Sequence, residues 1–523
     1  MPRCFNTAGP CNPLKHYTLP PERRLPGVRD LIDGEFYFVI HAPRQVGKTT
    51  CFRTLAQSLT ASGKYVAVHA SCEMGQPARG DVEAGVSAVL ANLVGEAADQ
   101  LSALSDPHKP LPPNLEAGPE SRLYEFLSAW ADRCPLPLVV FFDEIDALFD
   151  DVLISVLRQL RAGYVRRPSH FPQSVALIGL RDVRDYKASL RPDGATLGTS
   201  SPFNIKVRSL TIRNFEEAEV GELYGQHTAE TGQTFTPEAL ALAFELTNGQ
   251  PWLVNALADT LVRDLVPDLT TTITAAHMNQ AKEVLIARRD THLDSLIERL
   301  REDRVRRVIG PMLVGELIAP NIYDDDIAFV KDLGLVRSGE SGLEIANPIY
   351  QEVIPRALAW MTQDTIPVPR APFISADGRL LEDVLLKGFV AFWLQHGEFL
   401  LAHQPYPEAA PHLVLMAFMQ RIVNGGGFID REYTVGSGRL DLCIRWPHKD
   451  GQQRLAFELK VRTDRKNPLG EGLDQLAGYL RRLGLDQGTL IIFDRRTDAP
   501  PVDQRGQIDH EVHDGLNILI LWL

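Results

Sequence analysis

The sequence predicts an α/β chain built in two parts: a parallel sheet with crossover helices up to about residue 212, and a separate second α/β unit from about residue 378, with helices between. Three observations predict it. Between Phe36 and Ile212, short β-branched and aromatic runs alternate with amphipathic stretches, the pattern of strands joined by helices. From Phe215 to Val266 the strand runs stop and helical spacing takes over. Thr362 to Ala376 (TQDTIPVPRAPFISA) then carries three prolines and little periodicity, as a linker does, before strand runs return.

Taken in order, Phe36 to His41 (FYFVIH) reads as a strand, followed by a Gly-containing loop and the amphipathic stretch CFRTLAQSL. Further strands are expected at Tyr65 to Ser71, Leu138 to Phe142, Ser174 to Gly179 and Asn204 to Ile212, with helices at Glu120 to Ala131 and Asp151 to Ala162. Asp106 to Pro119, with five prolines, reads as an insertion or surface loop. The helices of residues 213–285, holding TNGQPWLVNALADTL, are expected to form a lid. In residues 286–360, charged helices lead to DDIAFVKDLGLVR, a polar SGESG turn and the strand LEIAN, which predicts a winged helix-turn-helix of the kind that binds DNA or packs on proteins. These readings divide the chain into a lead-in (1–35), a sheet core (36–212), a lid (213–285), a winged helix (286–360), a linker (361–377) and the second α/β unit (378–523). In that unit the expected elements are FIDREYTVGSGRLDLCIRW and RLAFELKVR as strands, GLDQLAGYLRRL as helix and GTLIIFD as strand.

Composition narrows the function classes. At 523 residues the chain has room for roughly three to four domains. Its 44% hydrophobic and 23% charged residues exclude a disordered, collagenous or coiled-coil protein. Six scattered cysteines without a C-x-x-C pair argue against a zinc site or a disulfide scaffold and favour a reducing cytoplasm. The N-terminus lacks an apolar signal core, and the longest apolar runs, such as Ile518 to Leu523, are too short to span a bilayer, so no membrane role is expected. The net charge of −13 disfavours nonspecific polycation binding to nucleic acid. Residues 371–523 carry 17 Lys and Arg against 20 Asp and Glu, or −3, leaving −10 for the first 370, so the C-terminal part is the likelier polyanion binder.

Two constellations carry chemistry. The first is the loop Ala42, Pro43, Arg44, Gln45, Val46, Gly47, Lys48 and Thr49, continuing into Thr50, between a strand and a helix. There backbone N–H groups and the helix N-terminus cradle phosphate oxygens, Lys48 reaches the β- and γ-phosphates, and Thr49 holds Mg²⁺. Ala42 stands where the phosphate-loop pattern has Gly, which is tolerated if that position does not need a positive φ. Downstream, LVVFFDEID ends an apolar strand with Asp143, placed to order the magnesium, and Glu144, placed to activate the attacking water. After ALIGL, Arg181 either senses the γ-phosphate or is a surface arginine paired with Asp182 and Asp185.

FNTAGP, HYTLPPERRLP, YFVIHAPRQVGKTT and LVVFFDEID together resemble the bacterial AAA-like ATPases near the STAND class, over residues 1–360. The resemblance implies a P-loop NTPase sheet with helical lid and winged helix, ATP and Mg²⁺ as cofactors, and a nucleotide-gated switch more than a fast motor. It also implies that Gly249-Gln250-Pro251 contacts the nucleotide from the lid, where a helix-capping turn is the other reading.

The second constellation lies in the last unit. Gly438-Arg439-Leu440-Asp441 is expected to end one strand and Glu458-Leu459-Lys460 the next, with Glu458 and Lys460 on one face by alternation and Asp441 meeting them from its neighbour. Two converging carboxylates can bind Mg²⁺ and a lysine can position water and steady a phosphate charge, which is phosphodiester chemistry. Over residues 380–500 this is similar to the PD-(D/E)xK nuclease superfamily, of restriction-endonuclease-like fold, particularly the members attached to AAA-like ATPases. The resemblance implies catalytic roles for Glu408 and for Gln475, which shares a helix face with Tyr479. Glu408 is equally an acid favoured by a helix dipole. His412, Arg462, Arg465, Lys466, Arg481 and Arg482 either contact phosphates or form a solvated basic rim.

The reading that joins these is an ATP-dependent switch controlling a Mg²⁺-dependent nuclease, with DNA favoured as substrate and the winged-helix region free for a second copy or a protein partner. The alternative is a regulatory or scaffolding ATPase whose C-terminal unit binds DNA or protein without cutting; a DNA-dependent motor or transposition helper is a third.

Overall fold

In the computed structural model the described residues are 3–180, 206–288, 291–313, 318–321, 324–339, 342–363, 373–375, 377–402, 410–423, 427–435, 438–449, 451–501 and 504–523. They divide into two compact units, residues 1–290 with 328–336, and residues 291–327 with 337–523.

In the first unit a short helix, α1 (Val28–Asp33), precedes β1 (Tyr37–His41) and α2 (Lys48–Ala61). β2 (Val66–Ser71), α3 (Val82–Gln100), α4 (Arg122–Arg133), β3 (Leu138–Asp143), α5 (Asp150–Gly163), β4 (Ser174–Gly179) and β5 (Lys206–Thr211) follow. The five strands form one sheet in the order β2-β3-β4-β1-β5, every neighbouring pair parallel. The expected strands therefore stand, each within two residues of its sequence reading. Both faces are buried, so strand residues split by parity between two cores. Phe38, Ile40, Phe141 and Ile178 pack against α1 and α2, while Val39, Val140, Phe142 and Leu177 pack against α3, α4 and α5.

β2 is an edge strand, and α3 covers it. Gln100 accepts from His69 N at 3.1 Å and donates to His69 O at 2.7 Å, and Asn92 accepts from Ser71 N at 2.9 Å. These side chains take the place of a missing neighbour strand.

After β5 come the helices α6 (Glu217–Thr231), α7 (Pro237–Thr247), α8 (Pro251–Thr260) and α9 (Ala275–Arg288). Their starts are set locally: Glu216 and Glu219 form a capping box, and Thr236 caps α7 just before Pro237.

In the second unit lie α10 (Thr291–Arg299) and α11 (Asp303–Leu313); α12 (Asp325–Asp332) and the hairpin β6 (Val336–Ser338) and β7 (Leu343–Ile345) run across the division between units. α13 (Pro348–Gln363) packs against α15, and the linker expected at 361–377 falls largely outside the described residues. α14 (Glu382–Ala402) and α15 (Ala410–Val423) lead into β8 (Phe428–Val435), β9 (Gly438–His448), β10 (Gly451–Arg462), α16 (Leu469–Leu483), β11 (Gln487–Asp494), β12 (Gln507–His513) and β13 (Leu516–Trp522).

These six strands form a mixed sheet in the order β12-β13-β11-β10-β9-β8. β8, β9 and β10 run antiparallel, β10, β11 and β13 parallel. α14 and α15 cover the face of Ile444, Phe457, Ile491 and Leu521, and α16 covers the opposite face of Cys443, Ala456, Leu490 and Ile520. One expectation is corrected here: Gly438 to Asp441 opens β9 and does not end a strand. β9 pairs antiparallel with β10, His448 opposite Gly451, so the start of β9 lies beside the end of β10. No helix among the described residues is long and apolar enough to cross a membrane.

Candidate functional site

The first site forms at the C-terminal ends of β1 and β3, where an open α/β sheet leaves a crevice. After His41 the chain turns through two left-handed positions, Gln45 at φ 57° and Gly47 at φ 85°, and Gly47 directly precedes α2. Ala42 has no positive φ, which is why alanine is accepted where the pattern has glycine. The loop thus presents successive N–H groups and the first turn of a 14-residue helix, a cradle that fits a phosphate chain.

Lys48 Nζ donates to the loop carbonyls of Ala42 at 2.8 Å and Pro43 at 2.9 Å. Burial pushes its ammonium below the usual lysine range, against the pull of Glu144, Asp143 and Asp146. Thr49 Oγ1 donates to Asp143 Oδ2 at 2.7 Å. Asp143 is 1% exposed. Burial favours its protonation, but hydrogen bonding and charge from His69, with Thr49 and Lys48, hold its carboxyl below the usual range. A hydroxyl and an ionised carboxylate are hard oxygen donors that fit Mg²⁺, which keeps water and substrate phosphate as its other ligands.

Glu144 sits in the left-handed region at φ 53°, its N–H donating to Asp143 Oδ1 at 2.9 Å. Burial, then Asp143 and Asp146, raise its carboxyl above the usual range, the direction expected of a proton acceptor tuned toward neutrality. Asp146 carries a buried Oδ1 without a hydrogen-bond partner among the described residues.

The turn Gly249-Gln250-Pro251 is built around a backbone contact. Phe215 N donates to Gly249 O at 2.8 Å, and a Cβ on Gly249, at φ 67°, would lie 1.9 Å from Phe215 O. Gln250 Oε1 caps α8 through Leu253 N at 2.6 Å, and Pro251 is its first residue, so the capping turn is present. α8 and α2 also hold the lead-in segment: Trp252 Nε1 donates to Thr7 O at 2.9 Å, and Cys11 N to Thr50 Oγ1 at 3.0 Å. Arg181 lies outside the described residues.

Three features of this site have no counterpart in the sequence reading. His69 Nε2 lies 3.0 Å from Asp143 Oδ2; the readable signal was a histidine inside the apolar strand VAVHAS. Arg24 is 4% exposed, with Nε donating to Arg213 O at 2.8 Å, its guanidinium over the Phe215 ring and Nη1 about the loop at Gly47. Nothing local distinguishes it from Arg23, which pairs with Glu222 at the surface. Finally, residues 328–336 belong with this unit: Asp332 Oδ1 is 3.7 Å from His41 Nε2, and Gly334 packs on Pro43.

The second site lies on the α16 face of the mixed sheet. Phe457 pairs with Leu442, and one step further along the antiparallel ladder Asp441 comes beside Glu458. Asp441 Oδ2 accepts from Leu459 N at 2.7 Å, and Lys460 Nζ donates to Glu458 Oε1 at 2.7 Å. Glu458 is 2% exposed and its Oε2 has no hydrogen-bond partner among the described residues. Burial and then the Asp441 charge push its carboxyl up to about 7, against Lys460. The Lys460 ammonium is raised, because Glu458 and Asp441 outweigh its burial.

A buried, unpartnered carboxylate oxygen beside a second carboxylate fits a hard cation. Among the described residues no three His, Cys, Asp or Glu side chains gather closely enough to hold one alone, so water and phosphate would complete the shell. Gln475 projects from α16, Oε1 buried and without a partner among the described residues. Glu408 lies outside the described residues. His412, expected at a phosphate or in a solvated rim, is buried at 7% exposure against the Phe493 ring, since the apolar face of α15 faces the sheet. Of the basic residues, Lys466 pairs with Glu471 at 2.8 Å and Arg481 pairs with Asp514.

Among solved structures, the chain is similar to the Walker-type ATPase PABY2304 of Pyrococcus abyssi, at 14% identity and a TM-score of 0.46, covering 67% of this chain and 99% of that one. It is also similar to the RuvB Holliday junction branch migration motor of Thermotoga maritima, at 14% identity and a TM-score of 0.32, covering 64% and 92%. Cdc6p from Pyrobaculum aerophilum shows 13% identity and a TM-score of 0.34, covering 64% and 93%. No family model matches the chain. No curated protein matches it.

Proposed function

We propose that this protein is an ATP-binding switch ATPase of AAA-like, STAND-related type that controls a Mg²⁺-dependent nuclease of PD-(D/E)xK type in its C-terminal unit, acting on nucleic acid, with DNA favoured, in the cytoplasm. The ATPase half is supported by Lys48, Thr49, Asp143 and Glu144 standing together at the C-terminal edge of a parallel sheet. Lys48 neutralises phosphate charge, Thr49 and Asp143 supply hard oxygens, and Glu144 takes the proton of the attacking water.

The observation that carries the nuclease half is the buried, unpartnered Glu458 Oε2 on the strand beside Asp441, with Lys460 bound to the other oxygen. The strand order, a three-strand antiparallel meander continued by a parallel crossover strand, agrees with the restriction-endonuclease-like reading. Magnesium, when bound, supplies Lewis acidity and an activated water. Asp441 and Glu458 hold it, Lys460 steadies charge on the phosphate, and Gln475 lines the approach from α16.

A second reading, a scaffolding ATPase whose C-terminal unit binds nucleic acid or protein without cutting, is favoured by the two-carboxylate ligand set and the ion-paired rim. The winged-helix region is then the surface for a second copy or a partner. The test is to incubate the full chain with plasmid DNA, single-stranded DNA or RNA, with Mg²⁺, with and without ATP, beside Asp441→Ala. Cleavage by the wild type alone supports the nuclease; binding without cleavage by both selects the scaffold.

A further inference from the structure

His69 stands on β2 two residues before Ser71, the register partner of Asp143 on β3. Its ring is 4% exposed and places Nε2 3.0 Å from Asp143 Oδ2. An ionised carboxylate only accepts, so Nε2 carries the proton of this bond. The same oxygen accepts from Thr49 Oγ1 at 2.7 Å, and Oδ1 accepts from Glu144 N at 2.9 Å. Two donors thus saturate Oδ2 and leave one lone-pair direction on Oδ1, while the Thr49 hydroxyl, having given its hydrogen to Asp143, keeps its lone pairs for a cation.

The strand that carries His69 is fixed with equal care. Gln100 grips both backbone groups of His69 and donates to Glu96 Oε2 at 2.7 Å. An edge strand clamped at that residue holds the imbalance of a buried polar side chain in one geometry.

We propose that His69 is a positioning residue of the magnesium–nucleotide site: its Nε2–H fixes the Asp143 carboxylate so that Thr49 Oγ1 and Asp143 Oδ1 face the cation together. The proposal rests on the reading of Lys48, Thr49 and Asp143 as that site. Outer hydrogen bonds of this kind typically carry about 10- to 100-fold in metal affinity.

The experiment measures binding of a fluorescent ADP to the full-length protein in excess Mg²⁺ and in EDTA, for the wild type, His69→Leu and His69→Gln. The wild type should bind more tightly with Mg²⁺. His69→Leu should lose about 10- to 100-fold of that magnesium effect with its EDTA affinity unchanged. His69→Gln, whose amide nitrogen reaches the same place, should keep the effect within about threefold of wild type. If His69→Leu does not fold by thermal melting, His69→Asn replaces it, because its shorter amide falls short of Asp143. A magnesium effect equal to wild type in the Leu or Asn variant overturns the proposal, as does an equal loss in the Gln variant or a loss that is the same in EDTA. A wild type that binds nucleotide equally with and without Mg²⁺ overturns the underlying site reading as well, which separates the two failures.

Discussion

Lys48 is held by two carbonyls of its own loop, and Glu144 is the carboxylate beside it whose proton affinity is raised. Lys48→Ala is therefore expected to abolish nucleotide binding in a fluorescent-ATP titration. Glu144→Gln should bind ATP but release phosphate at least about 10²-fold more slowly, the scale of lost general-base catalysis; wild-type turnover would remove Glu144 from that role. At the second site the sign of a pH effect follows from Glu458. Its folded carboxyl, at about 7 against an ordinary 4.5, keeps a proton that the unfolded chain gives up. The contribution to stability is thus present below the unfolded value and lost as pH rises through about 7. In metal-free protein, Glu458→Gln should raise the melting temperature of the C-terminal unit more at about pH 8 than at about pH 5. On the proposed nuclease reading, in which the ionised pair holds the metal, cleavage should rise over the same interval in the wild type.

Elements meet at contacts that single residues set. The turn between α7 and α8 rests backbone to backbone on the segment after β5, and Gly249 is the residue that permits it. A side chain there meets both a left-handed φ and a carbonyl at 1.9 Å. Gly249→Ala should cost at least about 2 kcal/mol in urea unfolding and weaken nucleotide binding, since α8 also carries the Trp252 and Asn255 contacts to the lead-in segment. An unchanged unfolding midpoint would show that the turn repacks freely. The elements were unevenly legible: the five strands of the first sheet announce themselves as β-branched and aromatic runs, whereas α3 does not, because Gly85, Gly95 and the small residues between them dilute its apolar stripe. β13 reads in the sequence only as a short apolar run; it is a strand paired on both sides by β11 and β12.

The chain passes between the two units three times, after residues 290, 327 and 336, and the middle stretch brings Asp332 and Gly334 to His41 and Pro43 of the phosphate loop. Residues 328–336 continue along the chain into the second unit at both ends. Glu144→Gln, which holds ATP uncleaved, should change cleavage by the C-terminal unit on adding ATP, in either direction, by about 5- to 150-fold if cleavage tracks the coupling. Asp441→Ala should abolish cleavage while ATP affinity is unchanged, because the two carboxylate sets lie in different units. Equal cleavage at zero and saturating ATP in both wild type and Glu144→Gln would show two independent activities on one chain.

Local pattern alone determines the five strands of the first sheet and the phosphate-loop motif, because apolar spacing, Gly and Pro positions and the residue types of a phosphate loop act within a few residues of one another. It also brings Glu458 and Lys460 to one face, since alternation in a strand is a local fact. What tertiary structure decided is each partner that comes from far along the chain. His69 reaches Asp143 only because β2 pairs with β3, Arg24 reaches Arg213 and Phe215 only through packing across some 190 residues of sequence, and Asp441 meets Glu458 only because β9 reverses onto β10. Those contacts depend on sheet order and register, which are set by the summed burial of whole faces and leave no mark at the residues themselves.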